Sequence, residues 1–85
     1  MTQKLFAIRD AKGEIYGPPM VNLTNGEAER HFVMMINDEK SMLSKYPEDF
    51  DLYFLGSYDT GTGKLEPLDS PLHICKAIDR KGVVQ

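Results

Sequence analysis

Residues 46–56 read Tyr46-Pro47-Glu48-Asp49-Phe50-Asp51-Leu52-Tyr53-Phe54-Leu55-Gly56 and open the strongest strand signal of this 85-residue chain. From Phe50 to Tyr58 the side chains alternate, so that Leu52, Phe54 and Tyr58 point one way and Tyr53 and Leu55 the other. Both faces therefore carry large apolar groups. Lys4 to Asp10 repeats the pattern, with Phe6 and Ile8 on one face and Leu5 and Ala7 on the other.

The flanking sequence supplies partners for these strands. Ala11-Lys12-Gly13-Glu14 is a turn leading to Ile15-Tyr16, so the first strand opens a hairpin. Gly17-Pro18-Pro19 cannot continue a central strand, because two successive prolines lack the N–H donor, and the second strand is expected to break before resuming at Met20 to Leu23. Thr24-Asn25-Gly26-Glu27 has the capping-box pattern and predicts a helix over Glu27 to Asn37, with Ala28, Phe32, Met35 and Ile36 as its buried stripe. Met42-Leu43 interrupts a polar linker as a short apolar turn. Asp59-Thr60-Gly61-Thr62-Gly63 turns the main strand into Lys64 to Leu68, a second hairpin.

The expected fold is thus α+β: a mainly antiparallel four-stranded ββαββ sheet with one helix on one face. A single domain is expected over residues 1–70, closed at Ser70-Pro71, with residues 71–85 as a weakly basic tail. One helix covers only one face of such a sheet. The other is left for a second subunit, the C-terminal tail, or a ligand with flat apolar surfaces, and a homodimer is the commonest solution.

A chain of this size buries roughly 60 to 65% of its unfolded surface, which suits one modest core. With 41% hydrophobic and 27% charged residues it lies within the range of folded domains. Cys75 is the only cysteine, which rules out an internal disulfide and fits a reducing cytosol. No apolar run approaches the ~20 residues of a membrane span, so no membrane partner is expected. The net charge of −3 argues against a large nucleic-acid footprint. Its distribution is uneven: residues 1–70 hold seven basic and twelve acidic side chains, whereas Lys76, Arg80 and Lys81 oppose only Asp79 in the tail.

No residue set has the spacing of a catalytic or metal centre, and neither an enzyme nor a cofactor is expected. Gly61-Thr62-Gly63-Lys64 lacks the Ser or Thr and the helix that a phosphate loop requires. His73-Ile74-Cys75 offers two ligand types on one side of an extended segment but has no second pair, and His31 stands alone. Glu48, Asp49 and Asp51 read as a solvated strand entry. A metal-dependent nuclease built on Asp49, Asp51 and Asp59 would lack a Lys or His beside them. Tyr16, Tyr53 and Tyr58 with Arg9, Arg30 and Lys64 are the residue types of a single-strand platform, where rings stack bases and cations follow phosphates. Strand aromatics serve more often as core or dimer interface.

The ordered wording adds a further indication. Lys4-Leu5-Phe6-Ala7-Ile8-Arg9-Asp10, Pro18-Pro19, Asn25-Gly26-Glu27-Ala28-Glu29-Arg30 with Phe32, and Ser44-Lys45-Tyr46-Pro47-Glu48-Asp49-Phe50 with Leu52 to Gly56 and Tyr58-Asp59 occur in series. Together they resemble the small nonstructural protein of gokushovirus-type microviruses, the single-stranded DNA phages. The resemblance implies a nonenzymatic protein of the host bacterial cytoplasm that binds single-stranded DNA and regulates genome replication or its switch to packaging. The alternative is a protein–protein adaptor that binds a phage replication or coat component without touching DNA. The resemblance carries no contact motif, so the expected DNA-binding set comes from residue chemistry: Arg9, Lys12, Tyr16, Arg30, Tyr53, Lys64, Lys76, Arg80 and Lys81.

Overall fold

The computed structural model describes residues 1–82, which run in order as β1 (Thr2–Asp10), β2 (Ile15–Tyr16), β3 (Met20–Asn22), α1 (Asn25–Ile36), α2 (Met42–Lys45), β4 (Phe50–Asp59) and β5 (Leu65–Lys76). β1 and β4 pair antiparallel from Thr2 opposite Asp59 to Asp10 opposite Phe50 and form the centre of the sheet. β5 borders β4, while β2 and β3 both pair with β1 on its other side. They are one strand broken at Gly17-Pro18-Pro19, as the prolines require, and the Gly17 amide bridges the gap by donating to Ile8 O at 2.8 Å. The expected α+β class holds, with the strand order β2/β3–β1–β4–β5.

The core lies between one sheet face and α1. Phe6 stands opposite Phe54 and Ile8 opposite Leu52, and onto them α1 lowers Ala28, Phe32 and Ile36. Phe6, Phe32, Ile36 and Leu52 are fully buried, each worth roughly 1.5 to 3 kcal/mol of burial. Val33 is also buried on α1, whereas Met35, expected in the stripe, is only half-buried. Thr24 caps the helix by accepting from the Glu27 amide at 3.1 Å, and the Glu27 carboxylate accepts in return from the Leu23 amide rather than from Thr24. Leu43 of α2 joins the core edge, while Met42 stays exposed.

Three irregularities redirect side chains that strict alternation assigns otherwise. The β1–β4 register slips at Leu55, so Tyr58, opposite Gln3, shares the Tyr53 face and not that of Leu52 and Phe54. The β4–β5 register slips at Ile74, which sends His73 to the Tyr53 side and Cys75 to the core side opposite Leu52. His73 and Cys75 therefore do not share a face. Between Pro67, opposite Gly56, and Leu72, opposite Phe54, β5 carries a wide bulge that includes Ser70-Pro71.

The expected boundary at Ser70-Pro71 thus falls inside a strand. Residues 71–76 continue β5, and Cys75 and Ala77 enter the core. β5 tolerates Pro67 and Pro71 because it is an edge strand. Beyond it, a 3₁₀ turn over Ile78–Arg80 folds onto the helix side. Residues 83–85 of the expected tail lie outside the described residues. Because the last described residues join α1 and α2 on one side, they leave the Tyr53 face uncovered.

Two consequences are measurable. At Gly56 the backbone has φ +149°, and a Cβ there would collide with Glu66 O and lie 2.7 Å from Pro67 Cα, both backbone atoms of β5. Gly56→Ala is expected to lower unfolding free energy by roughly 2 to 4 kcal/mol in urea titrations. Burial pushes the Cys75 thiol up from its usual value near 9.0; Glu29 adds to the shift and Arg80 opposes it. The folded state then holds this proton where the unfolded chain loses it, so the contribution is intact below that value and declines as pH rises through it. The stability lost between about pH 8 and pH 10.5 should be smaller in Cys75→Ala than in the wild type, measured by urea midpoints.

Candidate nucleic-acid interface

Cross-strand register fixes what the uncovered face presents. Tyr16 lies opposite Arg9, Arg9 opposite Asp51, and Asp51 opposite Lys76, a row that crosses the sheet from β2 to β5. In the adjacent row Ala7 stands opposite Tyr53, and Tyr53 opposite His73. The small Ala7, 1% exposed, lets the Tyr16 and Tyr53 rings meet across β1, edge to face with centroids 5.4 Å apart. Tyr53 meets His73 in the same manner at 5.3 Å. The result is a chain of three rings perpendicular to the strands.

Charge brackets this chain. The Arg9 guanidinium lies 5.8 Å from the Tyr16 ring centre, a cation–π distance that holds it beside the platform. Lys76 is exposed at the opposite end of the row. Between them Asp51 Oδ2 and His73 Nε2 are 2.7 Å apart, a bond within the exposed surface that steadies both side chains. Aromatic rings beside cations are the elements from which single-strand-binding surfaces are generally built.

Of the nine residues expected to contact DNA, Arg9, Tyr16, Tyr53 and Lys76 gather here. The other five do not. Lys12 sits in the β1–β2 turn, where its amide donates to Asp10 Oδ1 at 3.0 Å. Arg30 is exposed on α1, which covers the opposite face. Lys64 lies in the β4–β5 turn, 3.8 Å from Glu66. Arg80 is bound to Glu29 of α1 at 2.6 Å. Lys81 Nζ donates to Ile36 O at 3.3 Å and to Ser44 O and Oγ at 3.2 and 2.6 Å, completing the carbonyl end of α1. Gly82 N then donates to Asn37 Oδ1 at 3.0 Å. Arg80 and Lys81 thus strap the end of the chain to the helix.

Sequence reasoning weighed Asp51 as a solvated strand entry and His73 as a metal ligand, and left both out of the DNA-binding set. Counting two residues back from Tyr53 would have placed Asp51 on the platform. His73 was hidden because the strand was expected to stop at Leu68. Among the described residues no group of three or more His, Cys, Asp or Glu is placed to hold a metal ion. Nor, among them, is any helix long and apolar enough to cross a membrane.

Residues 3–80, from β1 to the strap at Arg80, match the family model described as Phage ORF5 protein. The chain belongs to this phage ORF5 family. It is 37% identical over 70 residues to Protein ORF5 of Chlamydia phage 1, an alignment covering 76% of this chain and 72% of that protein. No solved structure matches. The phage character read from the ordered sequence series is borne out, and the family description specifies no activity. Within this phage ORF5 chain the platform spans β2 to β5, all inside the matched residues.

The strap separates structural from surface cations. Replacing Arg80 and Lys81 together by Ala should cost about 1 to 2 kcal/mol, a fall of several degrees in the thermal midpoint followed by circular dichroism. Replacing Arg9 and Lys76 should leave that midpoint within about 2 °C of the wild type.

Proposed function

We propose that this phage ORF5 protein binds single-stranded DNA in the infected bacterium's cytoplasm and acts, without catalysis, in viral genome replication or its switch to packaging. The observation that carries the reading is the ring chain Tyr16–Tyr53–His73 on the one sheet face that nothing in the described chain covers, with Arg9 and Lys76 at its flanks. Stacking needs exposed rings, and phosphate attraction needs cations beside them and not beneath the helix. Two cations on a body with net charge −3 imply modest affinity and a shallow salt dependence.

A homodimer belongs to this proposal. The opposite end of the same face carries Leu5, Val21, Tyr58 and Leu65, of which Val21 and Leu65 are 50% and 59% exposed. Joining two copies there would set two platforms side by side and raise avidity without new contacts. The adaptor reading retains one observation in its favour. An open cavity of about 450 Å³ lined by Met42, Tyr46 and Phe50 together with Asp10, Lys12, Glu48 and Asp49 is apolar with three acids against one base, and suits a side chain with an apolar stem and a cationic end from another protein.

Titration of labelled single-stranded and duplex oligonucleotides across salt tests the proposal. Single strands should bind more tightly, and Tyr53→Ala should weaken binding by about 1 to 3 kcal/mol. Arg9→Ala with Lys76→Ala should reduce the logarithmic salt slope by roughly 1.4, whereas Lys64→Ala should leave it nearly unchanged. Absence of binding at low salt would transfer support to the adaptor. Light scattering on the same samples reads the dimer.

A further inference from the structure

We infer that Asp51 selects among bases: resting on the DNA-binding reading, its carboxylate accepts a hydrogen bond from an exocyclic amino group, so the platform favours amino-bearing bases over thymine. A carboxylate in the middle of a phosphate-binding row is otherwise a liability. It lies between Arg9 and Lys76 in direct cross-strand register, where it repels any phosphate that approaches the centre. Phosphates are thereby driven to the two flanks. The centre is left for bases, where Tyr53 and His73 offer their rings.

The geometry around Asp51 suits reading a base edge. Tyr53 is two residues further along β4 on the same face, about 7 Å away along the strand, within the span of a base lying over its ring. His73 Nε2 engages Oδ2 at 2.7 Å, and among the described residues nothing else bonds the carboxylate, so Oδ1 retains its acceptor capacity. The side chain is 26% exposed, enough to be reached and little enough to be held in place. An ionised carboxylate only accepts. Cytosine presents an amino donor where thymine presents a carbonyl oxygen, and a carboxylate meeting that oxygen gains no bond and suffers repulsion.

Cytosine and thymine have similar stacking areas, so short oligo-dC and oligo-dT isolate this contact. By fluorescence anisotropy at low salt the wild type should bind oligo-dC about tenfold more tightly than oligo-dT. Asp51→Asn is nearly isosteric and carries both donor and acceptor. It should bring the two within about twofold of each other while tightening both through loss of phosphate repulsion, an effect that a purely structural role would not produce. His73→Gln retains a donor for Asp51 and should preserve the preference. Equal binding of dC and dT by the wild type overturns the inference and leaves DNA binding standing, as does an unchanged ratio in folded Asp51→Asn. Failure to bind either oligonucleotide removes both readings.

Discussion

The antiparallel pairing of β1 with β4 is the constraint on which the rest depends. It joins the two strands that are apolar on both sides and sets Phe6 against Phe54 and Ile8 against Leu52. With that pairing fixed, α1 has one surface to cover, and Ala28, Phe32 and Ile36 complete a core that needs no other layer. The same register lifts Arg9, Asp51 and Tyr53 to the reverse side. A single ladder thus makes both the core and the candidate interface, and a shift of one residue would exchange them.

How much was legible in the sequence follows from how local each signal is. The broken second strand came from proline chemistry at Pro18-Pro19, and the start of α1 from Thr24 and Glu27, interactions that span only a few residues. The bulges were not legible. Leu55 and Ile74 look like ordinary strand residues, and what makes them bulge is the register of partners far along the chain. The extent of β5 was missed for a related reason. Ser70-Pro71 signals a strand's end unless the strand is known to lie at an edge.

The candidate site divides in the same way. Tyr53 and Arg9 lie on strands whose faces could be counted, and both reached the uncovered side. Arg80 and Lys81 were grouped with Lys76 because they are close in sequence, yet the chain leaves the sheet after Lys76 and turns to α1. Sign of charge could not distinguish a cation that completes a helix end from one that faces solvent. That distinction rests on Glu29, Ile36 and Ser44, which are distant in sequence and adjacent in space.

The central position of β1 also governs the timing of folding. Its principal neighbour begins only at Phe50, and the sheet's last strand ends at Lys76. While the ribosome is still making the middle of the chain, β1 has only the short, interrupted β2/β3 beside it, and an isolated ribbon of that kind is marginal in water. Phe6 and Ile8 therefore lack their cross-strand partners Phe54 and Leu52 until β4 has emerged. A nascent chain halted before β4 would lack the strand that pairs with β1 and would expose apolar side chains that the folded sheet hides.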